Sequence, residues 1–223
     1  MIPLKDRNPS YSIPFVNYAL IAANFVVFFY ELSLGPRLDA FFETYGLIPS
    51  RYFSMVAHHT HPITRYVPFL SSMFIHGGWL HIIGNMWFLF IFGDNVEDRL
   101  GHRKYLLFYF LSGLAAGFVQ VFSSASSSVP TIGASGAISG VLGAYIVMFP
   151  SAKILTLLPI FFFPFIINIP AVLFIGFWFL MQFFSGVQSW GIDTSGGIAW
   201  WAHIGGFVAG ILMVPIFKRR YVT

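Results

Sequence analysis

No cysteine occurs in the 223-residue chain, and few charged residues do. Without cysteine there is no disulfide framework, no thiolate nucleophile and no cysteine-based metal site. Asp, Glu, Lys and Arg make up 9% of the residues, against about 25% in an ordinary soluble domain. That scarcity excludes a soluble enzyme or binding module. What fills the chain instead is apolar: 57% of residues are hydrophobic, with 28 Phe and 10 Tyr. This is the composition of a polytopic membrane protein. The formal net charge of +4 is no argument for nucleic acid, because the basic residues collect at the ends of apolar segments, as topology signals do. Residues 1–10 carry Lys5, Asp6 and Arg7. They lack the short apolar core and small-residue cleavage site of a signal peptide.

Apolar periodicity and punctuation divide the chain into six spans. They run over about Ile13–Phe29, Leu80–Gly93, Tyr105–Phe122, Ser135–Phe149, Pro170–Phe184 and Gly197–Phe217. The long connection Leu34–Trp79 is too polar to span and too apolar to be a free linker, so it reads as a structured loop partly seated in the interface. Ile154–Gly186 carries no charge but is too short for two spans of about 20 residues each with a turn. Ile154–Ile169, broken by Pro159 and Pro164, is therefore expected to be an apolar loop at the membrane interface. Pro170 then opens the fifth helix, where its missing N–H costs nothing. Six spans put both termini on one side. Lys5, Arg7, Arg99, Arg103, Lys104, Lys153, Lys218, Arg219 and Arg220 fall there, and only Arg37, Arg51 and Arg65 fall opposite. The excess of Lys and Arg marks the cytoplasmic side.

Polar groups at membrane depth are functional candidates, because each is costly to bury. Four stand out. Ser135 lies in Gly133-Ala134-Ser135-Gly136, where a loop becomes a helix and backbone N–H groups have no partner within the helix. Such a helix start can hold an oxyanion. His203 lies in the sixth span, and His81 and Asn85 lie four apart in the second, on one helix face. Ser135–Phe149 and His203–Phe217 are each about 15 residues long, about 22 Å of helix. In a hydrocarbon core about 30 Å thick, both polar groups sit roughly 8 Å below the outer surface. Two polar side chains at one depth on parallel spans are what a Ser–His pair requires. Gly136-x-x-x-Gly140 and Gly206-x-x-x-Gly210 on the same two spans would let their backbones approach closely, although such spacings also occur in generic membrane packing.

The remaining polar candidates carry less. His58, His59 and His61 cluster in the outer loop without acidic or cysteine partners, so a metal site is not expected. His76 reads as a brace at the entry to the second span, and His102 as a solvated neighbour of the charged stretch Asp94–Arg99. Glu97 is expected to anchor that stretch through a basic neighbour. Gly186–Gly196, polar and glycine-rich, could serve as a lid.

At these residues the chain resembles the rhomboid intramembrane serine proteases, over Ile13 to Phe217. The motifs that carry the resemblance are His76-Gly77-Gly78-Trp79-Leu80-His81-Ile82-Ile83-Gly84-Asn85, then Gly133-Ala134-Ser135-Gly136, then Ala202-His203-Ile204-Gly205-Gly206-Phe207, in that order on spans two, four and six. The resemblance implies a six-helix bundle, a Ser135 nucleophile, a His203 base, and oxyanion donors from His81, Asn85 and the Ser135 backbone. Two departures are visible. Where many relatives carry Trp-Arg before the His76 motif, Val67 and Pro68 stand here. Where some members place an aromatic ring four residues after the serine, Ser139 stands here, and its hydroxyl becomes the candidate for orienting His203. With no acidic third member in evidence, the reading is a dyad.

The expected fold is thus an all-α, rhomboid-like six-transmembrane bundle with a structured first outer loop. Its parts are a cytoplasmic segment 1–12, a protease domain 13–217 and a basic cytoplasmic tail 218–223. The expected function is cleavage of transmembrane segments near the outer face through an acyl-enzyme. Expected partners are single-span membrane proteins and the lipid bilayer, with no nucleic acid, metal or cofactor. The expected location is a bacterial cell membrane with both termini cytoplasmic. The rival reading is a rhomboid-like protein that binds or escorts membrane helices without cutting, but such relatives usually lack the serine or the histidine. A solute transporter would show inverted repeats or paired broken helices, and the sequence shows neither.

Overall fold

The computed structural model describes residues 1–160, 163–188 and 199–218. A strand, β1 (Ile2–Asp6), comes first, then the long helix α1 (Phe15–Ser33). Three short helices follow: α2 (Leu38–Tyr45), α3 (Pro49–Ala57) and α4 (Pro62–Ser71). The long helices α5 (Trp79–Leu100) and α6 (His102–Ser123) lead to α7 (Ser135–Met148). Strands β2 (Lys153–Ile160) and β3 (Phe163–Pro170) precede α8 (Ala171–Gln188) and α9 (Trp200–Phe217). The six expected spans correspond to α1, α5, α6, α7, α8 and α9. The lid expected at Gly186–Gly196 falls mostly outside the described residues.

Four of these helices, α1, α6, α8 and α9, are long and apolar enough to cross a membrane alone, so the chain is a multi-pass helical membrane protein. The other two differ for physical reasons. α5 carries Asp94, Glu97, Asp98 and Arg99 at its far end. It passes the same test only together with residues 62–74, which meet it at an angle of 81°. α7 has 14 residues, about 21 Å of helix, less than the roughly 30 Å of hydrocarbon.

The region read as an apolar interfacial loop, Ile154–Ile169, is instead a β-hairpin. β2 pairs antiparallel with β3 from Lys153–Pro170 to Ile160–Phe163. β1 pairs with the other edge of β2, Ile2 opposite Leu157 and Asp6 opposite Ile154. An apolar run without alternation does not distinguish a strand from a buried loop or helix, which is why the sequence left the hairpin hidden. The sheet is clamped to the bundle. Tyr145 of α7 donates its hydroxyl to Asp6 Oδ2 at 2.7 Å, and Trp87 Nε1 of α5 donates to the Pro3 carbonyl at 2.6 Å. Burial pushes the Asp6 carboxyl above the ordinary aspartate range, against the Tyr145 hydrogen bond that pulls it down.

The β1–β2 pairing fixes parity. Residues 2–6 and 153–160 lie at the same end of the bundle, the sheet end, with α1, α5, α6 and α7 between them. At that end Glu97 is fully buried and accepts from Val16 N at 3.0 Å and Asn17 N at 2.7 Å. A carboxylate there satisfies the unpaired donors at the start of α1 and complements its dipole. His102 Nδ1 lies 2.5 Å from the same carboxylate, so His102 is its basic partner rather than a freely solvated neighbour. Asn17 continues the network: its Nδ2 donates to Leu89 O at 3.0 Å, and Tyr105 OH donates to its Oδ1 at 2.8 Å. α1, α5 and α6 are thereby tied through a polar core.

At the opposite end, the first long loop is built from α2, α3 and α4. No Trp-Arg pair anchors it. An aromatic cluster does, with Tyr52 and Phe69 at 5.5 Å, Phe69 and Phe118 at 4.5 Å, and Phe53 and Phe122 at 5.6 Å between ring centres. Leu47 and Thr131 exchange backbone hydrogen bonds of 3.0 and 2.9 Å, which fastens the loop to the segment just before Ser135.

Candidate active site

α5, α7 and α9 all begin at the loop end, and each brings one candidate into its first turn. Ser135 is the first residue of α7, His203 the fourth of α9, and His81 the third of α5. Ser135 and His203 can meet only if α7 and α9 nearly touch. A Cβ placed on Gly206 would overlap the Gly136 carbonyl oxygen, and one on Gly210 would overlap the Gly140 carbonyl oxygen. The two expected glycine pairs therefore pack backbone on backbone. Gly136 and Gly140 show α9 their carbonyls. Their missing side chains face α6 instead, where a Cβ on Gly136 would lie 2.6 Å from Ala116 Cβ and one on Gly140 would overlap Ser112.

At the top of this pair, His203 Nε2 lies 2.8 Å from Ser135 Oγ. His203 is buried and Ser135 half-buried. The other ring nitrogen, Nδ1, lies 2.6 Å from Gln182 Oε1 on α8. An amide oxygen only accepts, so Nδ1 carries the proton and Nε2 presents its lone pair to the serine. This is the protonation state a general base requires. Ser139 does not orient the imidazole, as the sequence suggested. Its hydroxyl donates to the Ser135 carbonyl at 2.6 Å, one turn back along α7. Ring packing on His203 comes from elsewhere too: Trp178 of α8 is 6.0 Å away between ring centres, and Trp200 of α9 is 6.3 Å away, edge on. Sequence reasoning missed Trp178 and Gln182. The available signal was a polar residue four positions after a tryptophan in an otherwise apolar span.

His81 borders the same centre. Gly77 N donates to His81 Nδ1 at 3.3 Å, so the imidazole proton sits on Nε2. A Cβ built on Gly133 would lie 2.7 Å from His81 Nε2 and 3.6 Å from Ser135 Oγ. Gly133 has φ +123°, a conformation only glycine adopts readily. The space left by its absent side chain is thus bordered by a ring N–H and the serine hydroxyl. Asn85, one turn further along α5, is 8% exposed, and its Nδ2 has no hydrogen-bond partner. The first N–H groups of α7 have no acceptor within the helix either.

His76 is buried beside His81, with ring centres 5.0 Å apart. Its backbone N–H donates to the Glu31 carboxylate, with oxygens at 3.2 and 3.3 Å. Glu31 is buried near the end of α1 and pins the entry to α5. His61 is taken up locally, its Nδ1 accepting from Ile63 N at the start of α4.

The sequence pattern of the rhomboid domain matches residues 64–220, more than half of the chain. The chain belongs to the rhomboid family. Rhomboid protein 1, mitochondrial, of Saccharomyces cerevisiae is 29% identical over 205 residues, 87% of this chain and 51% of the yeast protein. Presenilin-associated rhomboid-like protein, mitochondrial, of Homo sapiens is 27% identical over 190 residues, 78% of this chain and 46% of the human one. Rhomboid-like protein 11, chloroplastic, of Arabidopsis thaliana is 32% identical over 119 residues, 53% of this chain and 40% of the plant one. This rhomboid chain spans about half or less of the length of these curated relatives. Their mitochondrial and chloroplastic names lend nothing to the bacterial membrane expected from the sequence. The rhomboid assignment and the apolar helices together make the chain a rhomboid-like helical membrane bundle, to which the three-stranded sheet is added.

Proposed function

We propose that this rhomboid chain is an intramembrane serine endopeptidase working through a Ser135–His203 dyad. The 2.8 Å approach of His203 Nε2 to Ser135 Oγ carries the reading. Ser135 Oγ attacks a peptide carbonyl carbon of a membrane-anchored substrate while His203 Nε2 takes its proton. The oxyanion occupies the space beside Gly133, held by His81 Nε2–H, the Asn85 amide and the backbone N–H groups at the start of α7. His203 then gives the proton to the leaving amine as the C–N bond breaks. A water deprotonated by His203 then attacks the acyl carbon, the ester C–O bond breaks, and His203 returns the proton to Ser135 Oγ as the new carboxyl end leaves.

The substrate class follows from depth. A transmembrane helix hides its peptide bonds, because its backbone groups are paired within it. With Ser135 roughly 8 Å below one surface, a substrate helix must unwind near that end. We therefore propose single-span substrates cut near the end that lies on the side of α2–α4, with helix-weakening Gly or Pro just below the cut. The sheet end, where Lys5, Arg7 and Lys153 collect, is proposed to face the cytoplasmic side together with both termini. The domain division 1–12, 13–217 and 218–223 goes with this topology.

The deciding experiment reconstitutes the protein in liposomes with a single-span substrate carrying Gly-Pro in that half of its helix. Cleavage should appear in the parent and vanish in Ser135→Ala and His203→Ala. A serine-directed covalent inhibitor should label Ser135. Binding of the substrate helix without cleavage or labelling would favour the non-proteolytic escort reading instead.

A further inference from the structure

We propose that Gln182 is the third member of the site: a positioning residue that fixes the tautomer and orientation of His203. The proposal rests on the protease reading above for its kinetic consequence, but not for its structural one. A Ser–His dyad has a weakness that chemistry makes plain. A neutral imidazole can carry its proton on either nitrogen, and only the Nδ1–H form can take a proton from the serine. Something must accept a hydrogen bond from Nδ1. The hydrogen bonds recorded for the ring go to Ser135 and to Gln182, and no carboxylate is among them.

Gln182 suits the task by position. It is the acceptor at 2.6 Å, and it is 8% exposed. A buried amide on an apolar helix is costly unless it is hydrogen-bonded. Counted from the sheet end at 1.5 Å per residue, Gln182 stands about 17 Å along α8 and His203 about 21 Å along α9. The two side chains therefore meet at nearly one level. Trp178, one turn earlier on the same face of α8, lies against the imidazole ring at 6.0 Å. α8 thus supplies both an in-plane acceptor and a flanking ring, the two constraints that hold an imidazole in place. Neither comes from α7, where Ser139 is engaged with the backbone. An amide also differs from a carboxylate in the work it does. It selects the tautomer without adding a second charge to a site surrounded by hydrocarbon, where an unpaired carboxylate would be expensive.

The test uses the 223-residue chain in liposomes and two near-isosteric variants. Gln182→Met removes the acceptor and keeps the volume; Gln182→Glu keeps an acceptor. Kinetics are read with a single-span substrate. The tautomer is read by nitrogen-15 NMR of histidine-labelled protein, with the His203 signals assigned by their loss in His203→Ala. In the parent, His203 should be protonated on Nδ1. Gln182→Met should lower kcat by about 10²-fold, within the range a positioned general base contributes, with KM little changed. Its His203 should shift toward the Nε2–H form. Gln182→Glu should recover Nδ1 protonation and most of kcat. A folded Gln182→Met protein with the parent tautomer overturns the proposal whatever its rate, since Gln182 would then serve packing alone. If the parent cleaves nothing, the protease reading falls, and the tautomer measurement still decides the role of Gln182.

Discussion

α9 and α8 both bear on the candidate base, by opposite means. α9 is locked to α7 through backbone: Gly206 and Gly210 lie against the carbonyls of Gly136 and Gly140, and α9 has no room for a methyl group at either contact. α8 meets the site through side chains, Trp178 and Gln182, on one face of a helix whose remaining surface is largely exposed. Between α8 and the locked pair runs an apolar groove of about 430 Å³, lined by Ile146, Val172, Gly176, Phe177 and Phe207 among others. A backbone contact fixes distance and tolerates no change, because carbonyl oxygens cannot repack. A side-chain contact fixes orientation and tolerates helix movement until its hydrogen bond breaks. The Ser–His distance is set by the first kind and the imidazole's orientation by the second.

Substitutions along this contrast should fall in a definite order. Gly206→Leu attacks the locked pair directly and should abolish cleavage. It should also prevent covalent labelling of Ser135 although Ser135 and His203 are both present. Full activity would show that the glycines do not set the Ser–His distance.

Asn85→Ala leaves both α8 and α9 untouched and removes one oxyanion donor. Losing such a donor costs about 10²–10³ in kcat, with KM nearly constant; an unaltered kcat would remove Asn85 from the chemistry. Trp178→Ala removes ring packing but leaves the Gln182 hydrogen bond. Aromatic contacts contribute about 0.5–1.5 kcal/mol beyond area, so kcat should fall by about 2–10-fold. A loss as large as that of Asn85→Ala would mean that the ring, rather than the amide, holds His203.

Gly176→Ala is the mild counterpart of Gly206→Leu. A Cβ on Gly176 meets nothing within 4 Å, and alanine gains about 0.5–1 kcal/mol over glycine in a helix interior. Activity should be unchanged and thermal stability slightly higher. A loss of activity would show that α8 is as tightly constrained as α9, and the contrast would collapse.

What could be read from the sequence divides along the same line. Ser135, His203, His81 and Asn85 are polar groups in apolar spans, and the glycine spacings repeat at helical intervals. The structure brings Ser135 and His203 within hydrogen-bond distance, and His81 Nε2 to the edge of the space beside Ser135. Gln182 escaped because, unlike Asn85, it stands alone in its span and lies in none of the motifs that carry the resemblance. The inward face of α1 was hidden too: Asn17, Asn24 and Glu31 recur at seven-residue spacing and are all buried, a polar stripe masked by the apolar residues between them. The hairpin could not be read, because its partners are set by long-range pairing rather than by local period.

That hairpin imposes an order on biosynthesis. β1 leaves the ribosome long before β2, and the chain between Asp6 and Lys153 takes about 7–30 s to make at 5–20 residues per second. During that interval four helices are handed to the bilayer while β1 waits without a partner. Its residues Ile2–Asp6 must stay on the side where β2 will emerge, unpaired and available to the wrong edge. Closing the sheet then registers that the intervening helices were threaded the right way, since a single inverted span would leave β1 and β2 on opposite sides of the membrane. Tyr145, whose hydroxyl reaches Asp6, sits on the same short helix that begins with Ser135. The last strand contact that β1 makes is therefore tied to the helix that carries the serine.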